Sequence, residues 1–108
     1  MQVIVTALCS PGTSLRQAIA KDAKLTRYQL VVDKQQEPDR KPGWMKLHAS
    51  DKRRGAINVQ WDSHGHLLLA RVITKGSREP SPIVGDFVNY LLGRHSKRIK
   101  AITTAIVK

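Results

Sequence analysis

Between Gly43 and Thr74 the chain carries three apolar runs separated by short polar turns, and that spacing admits few folds. The first run, Trp44-Met45-Lys46-Leu47-His48-Ala49, alternates with period two, and so does the second, Ala56-Ile57-Asn58-Val59-Gln60-Trp61. Alternation of this kind marks a strand with one buried face. Met45, Leu47 and Ala49 fall on one side, with Trp44, Lys46 and His48 on the other. Ile57, Val59 and Trp61 likewise oppose Asn58 and Gln60. The third run, His66 to Thr74, is apolar on both sides, as a central strand is. An antiparallel meander is the expected outcome.

The flanks extend that pattern. Residues 2–8 alternate and predict a strand, which Ser10-Pro11-Gly12 breaks. Ser14 followed by Gln17 resembles a capping box, and Leu15, Ala18 and Ile19 form a short stripe, so a helix is expected over about 14–23. Thr26 to Asp33 is rich in β-branched and aromatic residues and predicts another strand. The proline-bearing, charged segment 34–42 is a loop, as is 75–82. At the end of the second loop Ser81 is the expected N-cap, with Pro82 at the first helical position. From Ile83, apolar residues recur at 84, 87, 88, 91 and 92, predicting a long helix at about 82–95. The segment 99–107 alternates again and predicts a final strand.

The fold class is therefore α+β: a curved antiparallel sheet (meander at about 26–74) on a long helix, with a short N-terminal helix and a final strand. Residues 1–108 form a single basic domain. Over about residues 26–95 the element order, four strands and then a helix, is similar to the single-strand-binding fold of the Whirly proteins and positive-cofactor coactivators. The similarity is one of element order, without a signature motif. It implies binding of single-stranded nucleic acid.

Charge points the same way. Nineteen Lys and Arg against eight Asp and Glu leave a net charge of +11, a field that attracts polyanions. A hydrophobic content of 41% is ordinary for a folded chain and argues against disorder. The single cysteine, Cys9, excludes an internal disulfide and reads as a small buried side chain. The N-terminal apolar run lacks a preceding basic segment and is too short for a signal or a membrane span, making the cytoplasm the expected compartment.

Four groups of residues make up the expected nucleic-acid site. On the sheet face away from the helix, Trp44, Lys46 and His48 lie with Asn58 and Gln60, a flat aromatic among cations that suits stacked bases, and Arg71 joins them in one of the two facings open to the third strand. Basic loops, Arg40-Lys41 and Lys52-Arg53-Arg54, are expected at one sheet edge, where they would clamp phosphates. Arg94, Lys97, Arg98 and Lys100 form a further uncompensated cluster. The same open face could instead seat a second subunit, so a homodimer is a compatible expectation.

Catalytic motifs are scarce. No phosphate-cradling glycine motif, nucleophile elbow or carboxylate pair is present, and neither a cofactor nor a small-molecule substrate is indicated. His64 and His66 have a metal-like spacing, but on a turn with only Asp62 beside them, so no metal site is expected. The leading expectation is a non-catalytic nucleic-acid-binding protein. The alternatives are a small toxin-like ribonuclease using His48 or His95, and a protein-interaction module for an acidic partner.

Overall fold

The computed structural model describes residues 2–74 and 79–107. Six strands form one antiparallel sheet: β1 Gln2–Cys9, β2 Leu30–Lys34, β3 Trp44–Ala49, β4 Ala56–Asp62, β5 Leu67–Ile73 and β6 Ile99–Val107. Their spatial order is β2-β3-β4-β5-β1-β6. The meander β2 to β5 lies as its alternating sequence predicts. The N-terminal strand then pairs with β5 on one side and β6 on the other, Val5 opposite both Ala70 and Thr104. Two helices, α1 Leu15–Lys21 and α2 Ser81–His95, pack on one face. The α+β class, the long helix and the final strand all follow the sequence. No helix among the described residues is long and apolar enough to cross a membrane.

The core is what strand alternation requires. Val3, Val5, Ala7 and Cys9 of β1 join Met45, Leu47, Ile57, Val59, Leu68, Ala70 and Val72 on one buried face. Above them lie Leu15 and Ile19 of α1 and Ile83, Phe87, Tyr90 and Leu91 of α2. The N-terminal segment thus contributes Val3, Val5, Ala7, Cys9, Leu15, Ile19 and Leu25 to the core. Trp61 packs against it on the face expected for it. Cys9 is buried, and that burial pushes its thiol pKa up, with Arg98 opposing.

Several local expectations shift. The strand expected at Thr26–Asp33 begins only at Leu30, because Ala23–Tyr28 is a 3-10 turn. Asp22 starts that turn by accepting from the Lys24 amide at 3.0 Å, and Gln29 ends it in the left-handed region at φ 66°. Helix α1 is capped as predicted, with the Ser14 hydroxyl accepting from the Gln17 amide at 3.3 Å, but it stops at Lys21. For α2 the cap position is Pro80 rather than Ser81, without a side-chain cap bond, and proline does occupy the first turn. Its buried stripe is 83, 87, 90 and 91 rather than 84, 87, 88, 91 and 92. Val84 and Val88 are half-buried and Leu92 is 55% exposed. Tyr90 replaces an aliphatic because its hydroxyl has polar partners beneath the helix. Of the expected loop at 75–82, residues 75–78 lie outside those described.

Glycine is required where β3 turns into β4. Gly55 has φ 130°, and a Cβ there would stand 2.6 Å from the Ile73 carbonyl oxygen, so the backbones of two strands meet where a side chain would go. Phe87 is a fully buried aromatic at the middle of α2. Phe87→Ala is expected to remove about 3–5 kcal/mol of stability. Urea denaturation would show this as a lower midpoint with an unchanged slope.

Candidate functional site

Strand register decides which side chains share the face that the helices leave open. Lys34 lies opposite Lys46, Lys46 opposite Asn58, and Asn58 opposite Arg71. These four form one row across β2, β3, β4 and β5. Neighbouring strands are about 4.8 Å apart, so Lys46 and Arg71 stand about 10 Å apart with Asn58 between them. Along the next row Trp44, Gln60, Leu69 and Thr6 follow one another, and then Thr103. The face divides into two halves. The side toward β2 is polar and cationic, while the side toward β6 presents Ile4, Leu8, Leu69, Ala101, Ala105 and Val107.

Each cation of the row has a neighbour. Lys34 Nζ is 3.4 Å from Glu37, Lys46 Nζ 3.7 Å from Asp33, and Arg71 donates to the Gln2 side-chain oxygen at 2.8 Å. Such exposed pairs are worth about 0–1 kcal/mol, so a polyanion competes for these groups at small cost. Two shallow depressions meet at Asn58. One, of about 240 Å³, reaches to Ile4, Leu69 and Arg71; the other, of about 300 Å³, takes in Lys46, His48 and Lys52.

Trp44 does not offer the stacking surface expected of it. It sits on the open side but is only 4% exposed. The β2–β3 connection folds back over it, with the Arg40 guanidinium 5.1 Å from the ring centroid, a cation–π contact. Arg16, which sequence reasoning passed over, fixes this connection from α1 by donating to the Trp44 carbonyl at 3.0 Å and the Gln35 carbonyl at 2.6 Å. Gly43, at φ 91°, brings the loop so close to β4 that a Cβ would lie 2.9 Å from the Trp61 carbonyl. The Trp44 indole nitrogen is buried without a hydrogen-bond partner among the described groups. A cavity of about 500 Å³ opens beside it, walled by Arg16, Arg40, Lys41 and Trp61.

The two basic loops are not neighbours. Arg40-Lys41 precede β3 and Lys52-Arg53-Arg54 follow it, so they stand at opposite ends of that strand rather than along one edge. Arg53 is held by Asp51 at 3.1 Å, and Arg54 reaches Asp86 of α2 at 3.3 Å on the helix side. Lys52 remains exposed. The cluster at 94–100 is likewise on the helix side and partly engaged. Arg94 makes two hydrogen bonds to Asp22, at 3.1 and 3.2 Å, and Arg98 donates to the Thr13 carbonyl and hydroxyl. Lys97 and Lys100 are exposed. Of the thirteen expected residues, the fold therefore gathers Arg40, Trp44, Lys46, His48, Lys52 and Arg71 on the open side, with Trp44 buried there, and leaves Arg54, Arg94 and Arg98 on the helix side.

His48 and His95 occupy opposite faces. His48 Nδ1 is 2.6 Å from the Ala49 carbonyl, a contact that makes Nδ1 the protonated nitrogen. His95 belongs to a buried network. Tyr90 Oη lies 2.9 Å from Asp22 Oδ2 and 2.8 Å from His95 Nε2. The tyrosine has one proton and gives it to the carboxylate, so His95 Nε2–H donates to the tyrosine oxygen. Tyr28 adds an edge-to-face contact to Tyr90 at 5.4 Å. Burial disfavours the His95 imidazolium more than Asp22 favours it, and its pKa is lowered. Burial and the Asp22 carboxylate together raise the Tyr90 pKa. For Asp22, burial alone would raise the pKa, but bonds from Arg94, the Lys24 amide and Tyr90 outweigh it and hold the carboxyl at about 2. No sequence signal announces a network whose members lie 68 residues apart.

On the β4–β5 turn, Asp62 accepts from the His64 and Gly65 amides at 2.9 and 3.3 Å. Its role there is to fasten the turn, and no cluster of three metal-ligating side chains occurs among the described residues. No protein-family model, no curated protein and no solved structure matches the chain.

Asp22 ties the C-terminal end of α2 to the turn after α1, and its titration sets an acid limit. Its folded pKa lies below the unfolded value near 3.8. The stability it adds is thus complete above about pH 4 and is lost as pH falls toward 2. Asp22→Asn is expected to cost about 2 kcal/mol at neutral pH. Denaturant titrations at a series of pH values should show the gap between wild type and variant closing between pH 4 and 2.

Proposed function

We propose that this chain is a non-catalytic nucleic-acid-binding protein that takes single strands across its open sheet face. The observation that carries this reading is the row Lys34, Lys46, Asn58 and Arg71, aligned over four adjacent strands by register. Three cations and an amide in line follow a phosphate backbone, and the +11 net charge draws a polyanion toward them. The adjoining strip of Leu69 and Ile4 favours single strands over duplexes, because only unpaired bases have faces to lay on it. Trp44 takes no part in stacking. Aliphatic contact carries no base code, so binding is electrostatic, sequence-tolerant and steeply dependent on salt.

Lys97 and Lys100 supply long-range attraction rather than a shaped contact, whereas Lys52 lines one depression with Lys46 and Asn58 of the row. The ribonuclease alternative has its histidines on opposite sides of the sheet. For cleavage, His48 would have to act beside Lys46 and Lys52 without a second histidine. RNA cleavage abolished by His48→Ala would replace the present reading. An acidic protein partner would be favoured by the absence of any nucleic-acid binding at low salt.

The test is fluorescence anisotropy with labelled single-stranded DNA, single-stranded RNA and duplex DNA over a range of salt. Single strands are expected to bind more tightly than duplex. Lys46→Ala with Arg71→Ala should weaken binding to all sequences alike and lower the slope of log K against log[salt] by about 1.4, since each single-strand phosphate contact contributes about 0.7. Alanine at Arg94, already committed to Asp22, should leave that slope unchanged. An unaltered slope in the Lys46/Arg71 double variant would move the site off the sheet face.

A further inference from the structure

The two edges of the sheet are finished differently. At one end β2 is five residues long, carries Asp33 and Lys34, and has an irregular register between Val32 and Lys34. Short length, charge and a bulge are the devices that keep an edge from pairing. At the other end β6 runs nine residues, Ile99–Val107, with no proline and Lys100 as its one charge. Its register with β1 is regular from Ala101 to Val107.

The hydrogen-bonding groups along that edge can be assigned. The Cys9 amide donates to the His66 carbonyl, on the β5 side. Backbone groups alternate in direction along a strand, so those of Gln2, Ile4, Thr6 and Leu8 turn toward β6. They face Val107, Ala105, Thr103 and Ala101. The N–H and C=O groups of Ile102, Thr104 and Ile106 therefore point outward, away from β1. Their side chains share the helix face, where Ile106 is 61% exposed. Next to them lies a groove of about 360 Å³ between β6 and α2, lined by Val88, Leu92, Ile99, Ile102 and Thr104.

We propose that β6 pairs antiparallel with β6 of a second copy of this chain, about a two-fold axis at Thr104. That register sets Thr104 opposite the partner's Thr104 and Ile102 opposite the partner's Ile106, matching outward-directed groups with outward-directed groups. On the open face, Thr103 meets the partner's Ala105, and Ala101 meets the partner's Val107. Every pair is apolar or threonine, the kinds of cross-strand pair that stabilise a sheet. The paired segment 101–107 holds no charge, so two strongly cationic chains meet where neither carries any. The partner's Ile106 comes to rest beside Ile102, one wall of the groove, and covers it together with Leu92. Seven paired residues span about 23 Å with a depth of about 10 Å, which covers about 500 Å² over both copies. A stable dimer needs about 1,200 Å². The two grooves and the exposed Leu92 side chains are the remaining apolar surface, which makes this a weak, exchanging dimer.

This inference does not rest on the proposed function, and salt separates the two. Lys97, Arg98 and Lys100 of both copies flank the seam, so added salt tightens the dimer by screening them, whereas it weakens nucleic-acid binding. Sedimentation equilibrium of nucleic-acid-free protein, from low micromolar to near-millimolar concentration, is expected to show a monomer–dimer equilibrium that shifts to dimer with salt. Thr104→Pro deletes an outward amide that β1 does not use, and should give a monomer with an unchanged circular dichroism spectrum. Thr104→Cys should form an intermolecular disulfide under mild oxidation, because residues directly opposite lie about 5.5 Å apart at Cα. A wild type that stays monomeric at all concentrations would overturn the proposal. So would a dimer that Thr104→Pro leaves intact and Thr104→Cys fails to cross-link.

Discussion

The fold depends on the pairing of β1 between β5 and β6. Without it the meander of β2 to β5 would end in an open β5, and β6 would have no partner. With it, Val3, Val5, Ala7 and Cys9 complete the buried face. This is the longest-range pairing in the molecule, since Gln2 meets Val107. Closing so large a loop has an entropic cost that grows only slowly with length, and the buried apolar strand offsets it. Strands β1 and β6 thereby lie side by side, β1 inside the sheet and β6 at its margin.

A second fastening joins the helices. Helix α2 packs on the sheet with Phe87 and Leu91 buried, and its C-terminal end is held by Asp22. One carboxylate receives Arg94 and Tyr90, and the tyrosine receives His95. Burying a carboxylate is costly unless its lone pairs are satisfied, and here cationic and hydroxyl donors satisfy them together with the Lys24 amide. The arrangement engages Arg94, one of the four cations at 94–100, with the Asp22 carboxylate. Arg94 and Arg98 are engaged on the helix side while Lys97 and Lys100 stay exposed, and register lines up Lys34, Lys46 and Arg71 on the other face.

That division gives the two faces of the sheet different work. The helix-side face and its packing supply stability. The open face combines a cationic half with an aliphatic half, and the β6 margin adds an unblunted edge. A nucleic-acid strand along the row from Lys34 to Arg71 and a second copy along β6 would use separate parts of the molecule, so neither excludes the other. In the pairing described above, the two open faces would lie side by side on one continuous surface.

What the sequence determined by itself is the strands β3, β4 and β5 and the inward residues of β3 and β4. Alternation at 45, 47 and 49 and at 57, 59 and 61 leaves only one face to bury. It also determined the long helix, the final strand and the excess of positive charge. Tertiary structure alone decided the rest. The burial of Trp44 under Arg40 depends on a loop whose path Arg16 sets from a distant helix. The 3-10 turn at Ala23–Tyr28 prevailed over β-branched propensity because Asp22 and Gln29 satisfy its ends and Leu25 fills the core. The stripe of α2 rotated onto Tyr90 because a carboxylate 68 residues away receives its hydroxyl. The physical reason is common to all three: hydrophobic period is local and can be read along the chain, whereas partners for buried polar groups come from elsewhere in it and exist only once the sheet has closed.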